Sequence, residues 1–204
     1  ISRSMHLQVR TEQEALRNRL QWNAQEGWDS TVQYYNIYRG IDALPTQQVY
    51  KRLAPSSNGI NVFLDDVYDD AAAIGKFCYR IEAVQGKVSP FSDQQSALVQ
   101  AARAYSNTVC TEVAPLFYVP NAFAPNGVNA EFGPRGQFFD YNRYEMLIYN
   151  RWGEQVYRSR DINQGWNGNW NGKPAPAGSY IYTIRFVDSN NKEHLRKGSF
   201  SLVR

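Results

Sequence analysis

The sequence predicts an all-β chain of two tandem β-sandwiches. Three observations carry that prediction. Aromatic residues make up 14% of the chain, with Tyr 14, Phe 10 and Trp 5, and such side chains suit pleated, half-buried surfaces. Short alternating runs recur between Gly, Pro and Asn, and no long stretch has helical period. Composition also changes near residue 114. Residues 1–113 hold 11 Lys/Arg and 12 Asp/Glu, residues 114–204 hold 11 and 7, so the net +3 divides into −1 and +4. We therefore expect one domain over 1–113 and a second over 114–204, each near the size of a small sandwich.

In the first half, Asn18–Trp22 places Leu20 and Trp22 on one face of a strand. Val32–Arg39 is a second strand, which Gly40 is expected to end. Gln48–Leu53 and Asn61–Asp66 follow, separated by Pro55 and the run Ser56-Ser57-Asn58-Gly59. Lys76–Val84 alternates most cleanly, setting Phe77, Tyr79, Ile81 and Ala83 against Cys78, Arg80, Glu82 and Val84. Ser96–Arg103, inside the long stretch Lys87–Tyr105, reads as a short helix. Pro115 and Pro120 then bracket Leu116–Val119, the first strand of the second half.

The second half is richer in turn signals. Ile148–Tyr157 reads as two strands joined at Asn150-Arg151-Trp152-Gly153, where Gly153 can take a positive φ. Trp166 lies between turn formers Gly165, Asn167 and Gly168, so its ring is expected to fold inward. Pro174 and Pro176 confine Lys173–Ala177 to an edge or an extended loop. Ser179–Val187, a polar turn at Asp188–Lys192, and Glu193–Arg204 form an antiparallel pair.

Several function classes are excluded. No run approaches the roughly 18 apolar residues of a spanning helix, so the chain is not expected to span a membrane itself. Two histidines (His6, His194) and two cysteines (Cys78, Cys110), far apart in sequence, argue against zinc. Neither histidine has a triad-like context, no catalytic constellation can be named, and no nucleotide or protease motif is present. A charge of +3 does not imply nucleic acid. The chain opens at Ile1 without a start methionine, and we expect it to be the tail of something longer.

Two resemblances follow from these residues. L-x-W, Y-x-I-Y-R, F-L-D-D and G-K-F-C-Y-R-I-E-A-V resemble strands B, C, E and F of a fibronectin type III domain, over residues 4–112. Val119–Gly127, Met146–Tyr157, Gly165–Gly168, Asn171–Tyr182 and Lys197–Arg204, in that order, resemble the gliding-motility-associated C-terminal domain. That domain is the type B sorting domain of the type IX secretion system of Bacteroidota. The resemblance implies a non-catalytic C-terminal targeting module that directs a large surface protein or gliding adhesin across the outer membrane and retains it at the cell surface. It implies two partners, the type IX translocon and an outer-membrane protein of the PorP/SprF family. It also implies an extracellular, cell-surface location. Passage through the periplasm permits a disulfide, and in the resembled fold Cys78 falls on strand F and Cys110 just beyond its neighbour, strand G, so we expect them to pair. One departure is visible: Pro125-Asn126-Gly127-Val128-Asn129-Ala130-Glu131 lacks the aspartates usual there, so neither metal nor other cofactor is expected.

The expected partner-binding surface combines the turn Asn150, Arg151, Trp152 and Gly153 with the final strand, at Lys197, Gly198, Phe200, Leu202 and Arg204. That strand is expected to lie at an edge with free backbone groups, flanked by Lys197 and Arg204. Other clusters read two ways. Asp65, Asp66, Asp69 and Asp70 are a Ca²⁺ site or, as we favour, a solvated strand end. Tyr34, Tyr35, Tyr38, Trp152, Trp166 and Trp170 are a sugar platform or, as we favour, mostly core. The excess of basic residues in the second half meets an acidic partner or lipopolysaccharide, or simply solubilises the domain. An adhesion or carbohydrate-binding module is the alternative function.

Overall fold

The computed structural model describes residues 5–26, 31–70, 73–86, 102–127 and 130–204. Strands dominate, and among the described residues the only helical turn is a 3-10 turn at Gln13–Ala15. The chain divides into two compact units, Ile1–Asp70 with Lys76–Val113, and Ala71–Gly75 with Ala114–Arg204.

The first unit contains β1 (Leu7–Glu12), β2 (Arg17–Asn23), β3 (Val32–Ile41), β4 (Gln47–Leu53), β5 (Ile60–Asp66), β6 (Lys76–Gln85), β7 (Arg103–Tyr105) and β8 (Val109–Glu112). One sheet runs β1-β2-β5. The other runs β4-β3-β6-β7, with β8 also on β6. This is a fibronectin type III-like sandwich whose last strand is split in two. The facing sides meet in Leu20 and Trp22 from one sheet and Tyr35, Ile37, Phe77, Tyr79 and Ile81 from the other, all at most 1% exposed. Trp22 meets Tyr35 edge-on, with ring centroids 5.4 Å apart. Each such side chain contributes about 1.5–3 kcal/mol through burial.

Three details depart from the sequence reading. Gly40 does not end its strand, because β3 continues to Ile41. Its glycine has another cause: a Cβ there would sit 2.3 Å from the carbonyl oxygens of Ala43 and Leu44. Arg103, read as the end of a helix, begins β7, and residues 96–101 lie outside the described residues. Asp65 is not solvated. It is 7% exposed and accepts from Arg39 at 2.9 Å and from the Tyr79 hydroxyl at 2.6 Å. Arg39 also pairs with Asp70 at 3.0 Å, and Asn18 donates to the Tyr79 oxygen. Residues of β2, β3, β5 and β6 thus close one polar network between the sheets. Burial and the neighbouring Asp65 carboxylate both push the Tyr79 phenol far up, so it stays a hydrogen donor.

Cys78 and Cys110 stand opposite each other in the β6–β8 register and form a disulfide. Both faces of β6 are buried for most of its length, the Phe77, Tyr79, Ile81 and Ala83 face and the opposite one alike. The disulfide covers Cys78, and a ring of donors described below covers Glu82.

The second unit contains β9 (Leu116–Tyr118), β10 (Ala122–Phe123), β11 (Arg135–Gln137), β12 (Asp140–Tyr149), β13 (Gln155–Ser159), β14 (Asn169–Trp170), β15 (Lys173–Pro174), β16 (Gly178–Val187) and β17 (Glu193–Leu202). A five-stranded sheet runs β10-β17-β16-β12-β13, beside the short pairs β9–β11 and β14–β15. β16 and β17 pair without a break from Gly178 opposite Leu202 to Val187 opposite Glu193. The core is aromatic. Phe132 stacks on Phe200, Phe123 packs on both, and Trp166, fully buried, meets Tyr180 edge-on. The Trp166 indole N–H donates to the Asn169 carbonyl at 2.7 Å, which satisfies the one polar atom its burial would otherwise strand.

Candidate functional site

The β12–β13 turn is built by one side chain. Asn150 Oδ1 accepts the backbone N–H groups of Trp152 and Glu154, at 2.9 and 3.0 Å. The Asn150 N–H donates to the Glu154 carbonyl, and the Gly153 N–H returns to the Asn150 carbonyl. Gly153 sits at φ 81, a conformation that favours glycine. Hydrogen bonds to and from Asn150 thus close the turn. It presents Trp152 at 78% exposure, the highest of the exposed large hydrophobic residues. The Arg151 guanidinium lies 4.7 Å from the Trp152 ring centroid, a cation–π contact worth about 0.5–1 kcal/mol at an exposed site. A rigid, exposed Trp with an adjacent Arg has the composition of an interface hot spot.

Arg204 lies near the same end of the sheet. Burial pushes the Tyr180 phenol up, while the charges of Arg204 and Arg151 pull it back. Arg204 itself is engaged within the domain. Its Nε donates to the Ala175 carbonyl at 3.1 Å and its Nη2 to the Gly168 carbonyl at 2.9 Å. It is a clamp on the backbone, not a free basic flank as the sequence reading has it.

The final strand departs further from expectation. Phe200 and Leu202 are each 2% exposed and belong to the core, so neither side chain is available to a partner. Gly198 is covered by Tyr182: a Cβ there would meet the Tyr182 hydroxyl oxygen at 2.4 Å. Nor is the strand an edge along its whole length. β10 lies beside it in parallel, Ala122 opposite Ser201 and Phe123 opposite Leu202. The N–H groups of Ser201 and Val203 donate to the carbonyls of Asn121 and Phe123, both at 2.9 Å.

The remainder of β17 stays open on that side. Ser201 and Val203 aim their amides at β10, and backbone groups alternate along a strand. The amides of Leu195, Lys197 and Ser199 therefore point to the same side, where no strand is paired among the described residues. Lys197 is exposed on this stretch. Leu195, on the sheet face shared with Lys197, is 46% exposed. Of the nine expected residues, Arg151, Trp152 and Lys197 thus offer exposed side chains free for contact. Asn150 and Gly153 shape the turn, Gly198, Phe200 and Leu202 pack, and Arg204 clamps.

The other candidates separate in the same way. Tyr35 and Trp166 are buried, Trp170 packs partly against the second unit's core, and Trp152 stands on the turn, so the six aromatics share no face. Among the described residues no group of three His, Cys, Asp or Glu side chains is placed to hold a metal. Val128 and Asn129, in the loop that departs from the usual acidic pattern, lie outside the described residues. His194 is bound to the Asp188 carboxylate at 2.7 Å and stacks on Phe186. No helix among the described residues is long and apolar enough to cross a membrane.

Comparison with known proteins gives one family. Residues 117–202 match the family described as the CHU_C Type IX secretion signal domain. No curated protein matches the chain. Among solved structures, the chain is similar to a tetra-tandem repeat in the extending region of a large adhesion protein, at 10% identity and TM-score 0.46. That match covers 98% of this chain and 49% of the other, so the chain spans about half of that structure's length. It is also similar to fibronectin(III)-like modules of Clostridium thermocellum CbhA, at 13% identity, covering 92% and 85%, with TM-score 0.29. A third similarity is to a Ca²⁺-stabilized adhesin of an Antarctic bacterium, at 12% identity, covering 98% and 49%, with TM-score 0.33.

Proposed function

We propose that residues 117–202, a type IX secretion signal domain, act as the export address of the polypeptide that carries them, taking it through the outer membrane and retaining it at the cell surface. The role is recognition, without catalysis. The family match carries this reading. The geometry supports it by offering two accessible features on one small domain: the preformed Trp152 turn and the open stretch of β17 at Leu195–Ser199. The turn suits an aromatic pocket. The open stretch suits strand addition by a partner, with Lys197 favouring an acidic neighbour. We assign both to the type IX translocon and a PorP/SprF-family outer-membrane protein.

The test is a fusion of residues 114–204 to an exported reporter in a type IX-competent strain. The reporter should reach the cell surface, and the Arg151→Ala, Trp152→Ala double variant should leave it in the periplasm with the domain still folded. Retention of the parent fusion in the periplasm would refute the targeting role. Normal export of the double variant would remove the turn from it.

A further inference from the structure

The first unit carries a polar and aromatic face of its own, on the side of the β4-β3-β6-β7 sheet away from the core. At its centre Glu82 is fully buried. Four donors occupy its carboxylate: Asn36 Nδ2 at 2.6 Å, the Tyr38 hydroxyl at 3.1 Å, Arg103 Nη1 at 2.9 Å and the Tyr105 hydroxyl at 2.8 Å. Burial alone would raise the Glu82 carboxyl, but these hydrogen bonds outweigh it and hold the group below its usual range. Two phenols and one guanidinium are thereby locked in place over a charged carboxylate.

Two further guanidiniums rest on rings. Arg80 lies 4.7 Å from the Tyr105 ring centroid and 5.9 Å from that of Tyr38. Arg52 lies 5.4 Å from that of Tyr34. Arg103 thus answers Glu82, while Arg52 and Arg80 rest on rings, and among the described residues this face carries two guanidinium charges with no carboxylate paired to them.

We propose that this face binds an acidic polysaccharide, with the tyrosines supporting the sugar rings and Arg52 and Arg80 taking the carboxylates. The central strands, β3 and β6, are paired on both sides, so the middle of the face offers side chains and not backbone groups; among the described residues the free backbone edge lies on β4, beside Arg52. Those side chains are flat rings and forked donors, which suit pyranose faces and carboxylates. Tyr34 and Tyr38 are four residues apart on one strand, about 13 Å, enough for more than one sugar unit. The locked side chains lose little freedom on binding, so weak single contacts add usefully. This surface lies outside residues 117–202 and stands or falls independently of the export role.

The test uses the whole chain and isothermal titration with an oligogalacturonate. A neutral cello-oligosaccharide and a poly-glutamate peptide serve as comparators. The acidic sugar should bind, with affinity falling as salt rises. The Arg52→Gln, Arg80→Gln variant should bind at least about tenfold more weakly, as expected for losing two charge-assisted contacts. If the double variant fails to fold, Arg52→Gln alone decides, because its guanidinium rests only on Tyr34. No binding of the acidic sugar, equal binding of the neutral one, or unchanged binding by the folded variant overturns the proposal. Tighter binding of poly-glutamate overturns it in favour of an acidic peptide.

Discussion

Replacing Arg204 with alanine should destabilise the second unit, although the residue is exposed and near the end of the sequence. Its guanidinium donates to the carbonyls of Ala175 and Gly168. Gly168 is itself a junction: its carbonyl also accepts the Ala175 N–H at 2.9 Å, and its φ of 77 leaves no room for a Cβ, which would lie 2.8 Å from Pro125. Arg204 thus ties the loop after the buried Trp166 to the end of the main sheet. A hydrogen bond from a charged donor contributes about 1.5–3 kcal/mol when well shielded. Water replaces part of that at an exposed site, so the two together should be worth roughly 1–2 kcal/mol. In a domain of this size such a loss lowers Tm by about 5–15 °C. Urea and thermal unfolding, followed through tryptophan fluorescence, would measure it. Lys197→Ala is the control, since a surface substitution without partners should stay within about 0.5 kcal/mol. Arg204→Lys should recover part of the loss, because one ammonium cannot fork to both carbonyls. If Arg204→Ala and Lys197→Ala are equally stable, the clamp contributes nothing. An export defect in Arg204→Ala would then report recognition; if the variant is destabilised as expected, the defect reports folding.

Glu82→Gln should cost stability at pH 7, because an amide N–H₂ would face the donors of Arg103 and Tyr105. Since the folded carboxyl lies below its unfolded value of about 4.3, its contribution is complete above that pH and fades as pH falls through the folded value. The gap between parent and variant in urea unfolding should therefore narrow in acid, and a constant gap would contradict the assignment. Reduction, or Cys78→Ser with Cys110→Ser, should destabilise the first unit by about 3–4 kcal/mol in the chain-entropy model for a separation of 32 residues, with the second unit's unfolding transition unchanged in calorimetry. Trp152→Ala should leave Tm within about 2 °C while export of a reporter fusion falls, and a large Tm loss would show that the turn is held by its tryptophan after all.

Local pattern made the strands legible. The strand over Lys76–Val84, the turn at Asn150–Gly153 and the inward Trp166 all appear where periodicity and turn chemistry put them. What stayed hidden depends on partners distant in sequence. Glu82 lies on the face opposite Phe77, Tyr79 and Ile81, yet it is buried because Asn36, Tyr38, Arg103 and Tyr105 converge on it. The end of β17 reads as a free edge, yet Ala122–Phe123 pairs with it, and a two-residue strand has no period to detect. Arg204 reads as surface charge because its acceptors are backbone carbonyls, which no residue letter announces. Asp65 and Arg39 find each other only when β3 and β5 face across the sandwich.

The pairing of β10 with β17 also bears on when this domain exists at all. Phe123 and Phe132, near its beginning, pack on Trp166 and Tyr182 and on Phe200, near its end, which stacks directly on Phe132. A ribosome that stalls before Phe200 releases a chain whose first aromatic cluster lacks the ring stacked on Phe132 and whose two-residue strand β10 has nothing to lie against. The folded surface is thus a receipt for synthesis through Leu202. Machinery that reads this surface, and not a linear peptide, would turn away prematurely terminated polypeptides without any separate proofreading step.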